Sequence, residues 1–134
     1  MSQDQKNQIL LIDDEPAFCD VLRARLEMFG YSVRTAGNGH QGWQEISKHL
    51  PDIVLLDIRM PEEDGYTFIR RLRSFRDTEN AEREKKVRQL PVIVITGTGE
   101  GMKSLFELEQ ISAYITKPID SAVVKKIIEE TLKR

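Results

Sequence analysis

The sequence predicts an α/β fold built on a parallel β-sheet. Five short β-type runs alternate with stretches of helical periodicity, which gives a (βα)5 pattern along the 134 residues. Three of these runs, Ile9–Ile12, Ile53–Leu56 and Val92–Ile95, are continuously apolar and rich in Ile and Val. Because strands covered by helices on both faces have this composition, we expect helices on either side of the sheet.

The predicted elements follow one another in a regular order. The two other predicted strands are Tyr31–Arg34 and Ala113–Ile115. Apolar residues at helical spacing predict helices between the strands and one at the end of the chain. Their apolar positions are Phe18, Val21, Leu22, Leu26 and Phe29; Trp43, Ile46 and Leu50; Phe68, Ile69, Leu72 and Phe75; Met102, Leu105, Phe106 and Leu108 for a shorter fourth helix; and Val123, Val124, Ile127, Ile128 and Leu132.

Local signals mark two helix starts and one helix end. Pro16 suits the first turn of the first helix, and Gly30 lies where that helix would stop. For the last helix, Asp120 or Ser121 is the candidate N-cap, since either side chain can accept a backbone hydrogen bond at a helix start.

Size and composition predict a single domain. A chain of 134 residues can bury one hydrophobic core and is too short for two, so we expect a polar tail over residues 1–8 and one domain over residues 9–134. The tail lacks the apolar segment of a secretory signal and no apolar run approaches a membrane-spanning length, so we expect a cytoplasmic location without membrane contact. Twenty basic and 22 acidic side chains give a net charge of -2, which argues against direct nucleic-acid binding.

The stretch from Asp77 to Gln89 departs from the alternating pattern. Eight of its 13 residues are charged and only Ala81 and Val87 are apolar, so we expect it to contribute little to a core. One interpretation is a solvated extension of the third helix and its loop, in which opposite charges pair locally. The alternative is an arm that docks a partner.

Polar and charged residues follow the predicted strands where each one ends. They are Asp13, Asp14 and Glu15 after the first run, Asp57 after the third, Thr96 and Gly97 after the fourth, and Thr116, Lys117 and Pro118 after the fifth. Ligands of open parallel sheets bind at the carboxyl ends of strands, so we expect these residues in one crevice. Converging carboxylates repel one another unless a cation intervenes, and Mg²⁺ prefers such oxygen ligands. A lysine, a hydroxyl and an open glycine N–H would complete a phosphate site.

In their order along the chain, four motifs resemble those of the receiver domains of two-component response regulators. They are Ile12–Glu15 after an apolar strand, Leu56–Pro61 followed by Asp64 and Gly65, a strand that ends in Thr96, and Lys117 with Pro118. Each motif alone is weak, but the four together on the expected elements are specific, and they cover nearly the whole chain. The resemblance implies a flavodoxin-like, doubly wound sheet with strand order 2-1-3-4-5.

The resemblance also implies phosphorylation that depends on Mg²⁺. Asp57 would accept a phosphoryl group from phosphohistidine on a sensor histidine kinase or a histidine phosphotransfer protein, or from a small phosphodonor. Asp14, Asp57 and the backbone carbonyl of Arg59 would bind the Mg²⁺ ion, and Asp13 would act mainly through a metal-bound water. The domain would catalyse only its own phosphorylation and slow dephosphorylation, so it would not be an enzyme with another substrate.

The family's switch mechanism is implied in the same way. Thr96, Gly97 and Lys117 would bind the phosphoryl oxygens, the Thr96 hydroxyl would move toward them, and Tyr114 would turn inward. This would change the surface of the fourth helix, fifth strand and fifth helix, for an output protein or domain or for a homodimer formed on phosphorylation. Pro118 resembles the family's cis-proline. The chain ends with the last predicted helix, so we expect no output domain within it.

Three features depart from the family pattern. Arg59 lies two residues after the acceptor, and we expect it to pair with the phosphoryl group and prolong its lifetime. The family commonly has Ala where this chain has Gly97, and the run Gly97–Gly101 predicts a mobile switch loop, since it lacks the Gly-Lys-Ser/Thr ending of a nucleotide-binding loop. The segment between the third helix and the fourth strand is also longer than is typical of the family.

Three other functions remain open at this point. A flavin-binding module would favour Ser, Thr and Gly after the first strand, where this chain has consecutive acids. An aspartyl-phosphate phosphohydrolase would need a base for the attacking water, and no candidate stands out. A degenerate receiver that serves only as an interaction platform is disfavoured by the intact set of site residues. We expect Cys19 and Trp43 to pack, and His40 and His49 have no companions at metal-ligand spacing.

Overall fold

A five-stranded parallel sheet forms the centre of the fold. The computed structural model of the chain describes residues 6–58, 65–97 and 110–133. Its strands are β1 (Gln8–Ile12), β2 (Ser32–Ala36), β3 (Ile53–Asp57), β4 (Val92–Thr96) and β5 (Ala113–Thr116). They lie in the order β2-β1-β3-β4-β5, and every neighbouring pair is parallel. The predicted flavodoxin-like, doubly wound fold with strand order 2-1-3-4-5 is confirmed.

Five helices accompany the strands in the described ranges. They are α1 (Pro16–Met28), α2 (Gly39–Lys48), α3 (Gly65–Arg73), α4 (Ala81–Arg88) and α5 (Ser121–Leu132). None of these described helices is long and apolar enough to span a membrane. The helix predicted around residues 102–108 lies outside the described residues.

The structure confirms the predicted start and end of α1 and the predicted start of α5. Pro16 is the first residue of α1, and Gly30 follows its end with a φ of 99°, a left-handed conformation that favours glycine. Asp120 is the N-cap of α5, because its Oδ1 accepts the N–H of Ala122 at 2.8 Å.

The alternation of strand side chains divides the core into two layers. Leu10 and Ile12 of β1 pack in a cluster with side chains of α2, α3 and α4. Ile9 and Leu11 pack in a second cluster with side chains of α1 and α5. All residues of β3 and β4 are buried, as expected for strands with helices on both faces.

The charged segment forms a helix of its own, so its interpretation as an extension of the third helix is wrong. α3 ends at Arg73, and Ser74 Oγ donates to the carbonyl oxygen of Arg70 at 2.7 Å, which competes with continuation of the helix. α4 begins after Asn80, whose side chain accepts the N–H of Arg83 at 2.9 Å. A new N-cap therefore separates the two helices.

Charges in this segment do pair locally, as predicted. Arg83 lies 3.4 Å from Asp77, and Lys86 lies 3.9 Å from Glu82. The contribution of this segment to the core is small, as expected, and consists of one side chain. Val87 is 1% exposed and packs in the cluster shared with α2 and α3, because it is the residue of α4 that faces the sheet.

Gly65, the first residue of α3, lies close to the strand that carries Asp57. Its N–H donates to the carbonyl oxygen of Ile58 at 3.0 Å, and a Cβ at Gly65 would lie 2.8 Å from Ile58 Cα. Gly65→Ala is therefore expected to lower the free energy of unfolding by about 1–3 kcal/mol, measured by urea denaturation, because backbone atoms must move. Helix propensity alone would favour Ala, so the sign of the result is decisive.

Gly37→Ala is the matched control for this prediction. Among the described residues, a Cβ at Gly37 would meet only Gln41 Oε1, at 3.2 Å, and that side chain is exposed and able to move. We expect this variant to unfold within about 0.5 kcal/mol of the unmodified protein. Equal denaturation midpoints for the two variants would contradict the close approach at Gly65.

Candidate functional site

Most of the predicted site residues that the structure describes lie together at the carboxyl edge of the sheet. Four of them end or follow strands: Asp13 (β1), Asp57 (β3), Thr96 (β4) and Lys117 (β5). Backbone hydrogen bonds continue just beyond the strand ends. The N–H of Asp13 donates to the carbonyl oxygen of Ala36 at 3.0 Å, and the N–H of Lys117 donates to that of Thr96 at 2.7 Å. The order β1-β3-β4-β5 therefore sets the four side by side.

Side-chain alternation decides which side of the sheet each residue faces. The strand residues two positions before Asp13, Asp57 and Lys117 pack toward α1 and α5; they are Leu11, Leu55 and Ile115. The three site residues consequently face α1 and α5 as well. Thr96 has the opposite parity, since Val94 packs toward α2 and α3.

Three carboxylates form a candidate metal site. One ligand oxygen each from Asp13, Asp14 and Asp57 lie within 4.8 Å of one another. Asp13 and Asp57 are buried, at 2% and 6% exposed, whereas Asp14 is exposed to solvent. Oxygen ligands from carboxylates, with one side open to water, are the donor set that Mg²⁺ prefers. The residues present therefore fit a divalent cation.

Lys117 supplies the positive charge of the site. Its Nζ lies 3.2 Å from Asp13 Oδ2, 3.5 Å from Glu15 Oε1 and 4.0 Å from Asp57 Oδ2. The same Nζ lies 4.4 Å from the ring centroid of Phe18, which is within cation–π range. The ammonium is thus held between three carboxylates and an aromatic face. The Lys117–Pro118 peptide bond is cis, as the resemblance implies.

Burial and charge act in opposite directions on these groups. Burial raises the pKa of Asp13 above its ordinary value, and the N–H of Glu15 and the Lys117 ammonium offset only part of that effect. Burial alone would lower the pKa of Lys117, but Asp13, Asp57 and Glu15 together raise it. Lys117 therefore stays protonated, and the site favours a further cation beside Asp13.

The contacts of Glu15 and Phe18 with Lys117 are not predicted from the sequence. Glu15 belongs to the acidic run after the first strand, and its reach to Lys117 depends on the fold. Phe18 fits the apolar periodicity of α1 and does pack against the core. Its position one helical turn after Asp14 was the available signal that it borders the site.

The other predicted site residues differ in how far the structure describes them. Thr96 is 1% exposed at the end of β4. Gly97 is exposed, and no atom of the described residues lies within 4 Å of the position that a Cβ would take there. Tyr114 is 39% exposed on β5. Arg59 lies outside the described residues, and so do residues 98–101 of the predicted switch loop.

Cys19 packs beneath the site, as predicted, and its thiol is expected to be unreactive. It is 6% exposed, and burial, Asp13 and Asp20 raise the pKa of its thiol from 9.0 to about 11. Near pH 8 the native thiolate fraction should be about a hundredfold lower than in the unfolded chain. Alkylation by iodoacetamide should therefore be slow, and should accelerate on unfolding or as the pH rises toward 11. Equal rates for the native and the urea-unfolded protein would contradict this prediction.

The comparisons with known proteins all identify the same family. The family model described as the response regulator receiver domain matches residues 9–129. The chain is 33% identical over 128 residues to the DNA-binding dual master transcriptional regulator RpaA of Synechocystis, which covers 95% of this chain and 46% of that protein. It is 32% identical over 128 residues to the response regulator Rre1 of the same organism, with 94% and 52% covered. The chain thus spans about half the length of the curated relatives it matches.

Solved structures have a similar fold. A CheY-like response regulator receiver domain protein from Methanospirillum hungatei has a TM-score of 0.78 and 26% identity, covering 96% of this chain and 95% of its own. The receiver domain of a sensor histidine kinase from Pseudomonas aeruginosa, with a magnesium ion coordinated in its active site cleft, has a TM-score of 0.81 and 25% identity, covering 97% and 100%.

Proposed function

We propose that this chain, which belongs to the family of response regulator receiver domains, is switched by transfer of a phosphoryl group to Asp57. One observation carries the proposal: oxygens of Asp13, Asp14 and Asp57 lie within 4.8 Å of one another, and Lys117 Nζ lies 4.0 Å from Asp57 Oδ2. Phosphoryl transfer is catalysed mainly by positioning and charge stabilisation, which such a set supplies.

In the proposed reaction, Asp57 is the nucleophile. A carboxylate oxygen of Asp57 forms a bond to phosphorus, the bond from phosphorus to the donor's histidine nitrogen breaks, and its electron pair stays on that nitrogen. The product is an aspartyl phosphate. Lys117, the Thr96 hydroxyl and the N–H of Gly97 stabilise the negative oxygens of the transferred group. The end of β4 beside β3 and the open surroundings of Gly97 support these roles.

The proposal includes Mg²⁺ at the carboxylate cluster. Asp14, Asp57 and the backbone carbonyl of Arg59 would hold the ion directly, and Asp13 would act through a bound water. When bound, Mg²⁺ offsets the negative charge of the carboxylates and of the phosphoryl group. The burial that raises the pKa of Asp13 supports this assignment, because a cation beside that carboxylate would stabilise its charged form. The magnesium ion in the related Pseudomonas receiver is consistent with it.

The proposed partners are a phosphodonor and an output element. The donor would be a sensor histidine kinase or a histidine phosphotransfer protein. The curated relatives are about twice as long as this chain and include a DNA-binding transcriptional regulator, which supports an output domain or protein downstream of the receiver. We also propose that the chain acts in the cytoplasm, where transcription is regulated, and that it forms a homodimer on phosphorylation.

The proposed readout is a change of the surface near β5. Tyr114 is 39% exposed, and alternation along β4 and β5 sets it on the same side of the sheet as Thr96. Movement of the Thr96 hydroxyl toward the phosphate would leave room for Tyr114 to turn inward. The affected surface would comprise residues 102–108, β5 and α5, and two packings of that surface would be the bistable element.

The test of this function is mass spectrometry after incubation with acetyl phosphate or phosphoramidate and Mg²⁺. We expect a mass increase of a single phosphoryl group that maps to the peptide containing Asp57 and disappears when Mg²⁺ is chelated. No labelling under these conditions would instead favour a receiver that serves only as an interaction platform. Sustained turnover of phosphodonor far beyond one equivalent would favour an aspartyl-phosphate phosphohydrolase.

Arg59 is proposed to prolong the phosphorylated state. Its side chain follows the acceptor by two residues, and a guanidinium there would pair with the phosphoryl group and hinder the hydrolytic water. Arg59→Asn is expected to shorten the half-life of the phosphorylated protein about fivefold, since a single ion pair is worth roughly 1 kcal/mol. Arg70→Asn, which removes an exposed arginine of α3, is the matched control. An unchanged half-life in Arg59→Asn would refute this role.

A further inference from the structure

Basic residues are concentrated between Arg70 and Gln89, which cover the end of α3 and all of α4. This stretch holds eight of the 20 basic side chains in the chain but only four of the 22 acidic ones. The rest of the chain, with 12 basic and 18 acidic side chains, is therefore net acidic, although the whole carries a net charge of only -2. Such an asymmetry is typical of a surface that meets an oppositely charged partner.

A recess opens between the end of α3, α4 and Gln110, which lies three residues before the start of β5. Its volume is about 520 Å³, and its lining is formed by Arg73, Glu84, Lys85, Arg88, Gln89 and Gln110. Three of these side chains are cationic and one is anionic. The anionic one, Glu84, already accepts the N–H of Asp77 at 2.9 Å. The recess therefore has an excess of positive charge.

Arg73 fixes the shape of the recess. Its guanidinium donates to the carbonyl oxygens of Arg88 at 3.0 Å, Leu90 at 2.8 Å and Gln110 at 2.7 Å. In return, Arg88 Nε donates to the carbonyl oxygen of Arg73 at 3.1 Å. These bonds join α3 to the C-terminal end of α4 and to the segment before β5. A recess held in this way loses little conformational entropy when a ligand binds.

Lys85 and Arg88 remain available to a ligand. Within the described part of the chain, Lys85 makes no ion pair or hydrogen bond through its ammonium group, and the terminal nitrogens of Arg88 make none either. The neighbouring Lys86 differs, because it is paired with Glu82 and does not line the recess. These two exposed cationic side chains lie on a backbone that hydrogen bonds hold in place, so they favour an anionic ligand.

We propose that this recess docks an acidic segment of a partner protein, with carboxylate side chains bound by Lys85 and Arg88. A carboxylate matches the free fork of a guanidinium and the point charge of an ammonium. A nucleic-acid strand would need cations along a longer track, and the net charge of -2 on the whole chain opposes it. None of the residues that line the recess belongs to the carboxylate site around Asp57, so the proposal does not rest on the phosphorylation chemistry.

The test is an NMR titration of the full chain with a short peptide of alternating Glu and Ser. The same peptide with Gln in place of Glu and a single-stranded DNA oligonucleotide are the comparison ligands. We expect amide shifts confined to the end of α3, α4 and the residues around Gln110, binding that weakens as salt is added, and much weaker binding of both comparison ligands. Reversal of one charge, Lys85→Glu, should weaken binding at least about tenfold.

Lys86→Glu is the matched control, because it reverses the same charge on the same helix outside the recess. We expect it to weaken binding by less than about threefold. Thermal unfolding and phosphodonor labelling of both variants should match those of the unmodified protein, which excludes misfolding. The proposal is overturned by any of four results: no binding of the Glu peptide, equal binding of the Gln peptide, equal losses in the two lysine variants, or tighter binding of DNA.

Discussion

Replacing Asp57 with Asn is expected to abolish phosphoryl incorporation and to raise the thermal stability of the metal-free protein. The amide keeps the shape of the side chain, but its neutral oxygen is not a nucleophile for phosphorus. The substitution also removes one of three carboxylates whose oxygens lie within 4.8 Å of one another, which relieves their repulsion. We expect no detectable mass increase with acetyl phosphate and Mg²⁺, and a midpoint of unfolding a few degrees higher in the presence of a chelator.

Asp52→Asn is the matched control for this variant. Asp52 precedes the same strand at its opposite end, is exposed, and accepts the N–H of Gln8 at 2.6 Å through Oδ2. It should therefore be phosphorylated like the unmodified protein. Phosphoryl incorporation that persists in Asp57→Asn on any other residue would refute the assignment of the acceptor, whatever the effect on stability.

Replacing Lys117 with Gln is expected to produce two effects of opposite sign. The rate of phosphorylation by acetyl phosphate should fall about 10²–10³-fold, because a positioned cation that stabilises charge in the transition state is lost. The affinity for Mg²⁺ should rise, because the ammonium lies 3.2 Å from Asp13 and 4.0 Å from Asp57 and competes with the metal ion for both carboxylates. Labelling kinetics and a Mg²⁺ titration of intrinsic fluorescence measure the two effects separately.

Lys125→Gln removes the same charge from a position outside the site. Lys125 lies on α5 and pairs with Glu129 at 3.5 Å. We expect its labelling rate to stay within about twofold of the unmodified protein, since exposed ion pairs contribute little. If the loss in Lys117→Gln were equally small, or if Mg²⁺ bound more weakly to that variant, Lys117 would have only a structural role.

Much of the fold can be predicted from the sequence because the relevant signals are local. The apolar runs of β3 and β4 are buried throughout, as their composition indicates. Gly30 ends α1 in the left-handed conformation that its position suggests. Strand order cannot be predicted from such local signals, because neither periodicity nor composition specifies it. It followed only from the motifs shared with the family.

The charged segment shows where local patterns are insufficient. Composition indicated a solvated extension of α3, yet Asn80 starts a new helix and Val87 packs into the core. The decisive contacts are the bonds from Arg73 to the carbonyl oxygens of Arg88, Leu90 and Gln110. An arginine in a basic run gives no sign in the sequence that it will bind three carbonyl groups in two other segments.

The sequence by itself determined the fold class and the chemical identity of the site, because the acids, hydroxyl and lysine that suit phosphoryl transfer each follow a recognisable strand. Only the tertiary structure decided how these groups meet. Lys117 and Asp13 are 104 residues apart in the chain, yet their charged atoms lie 3.2 Å from each other, with Phe18 beneath the ammonium. Which carboxylate lies nearest to the ammonium depends on packing between segments that are distant in the sequence. No local sequence pattern carries that information.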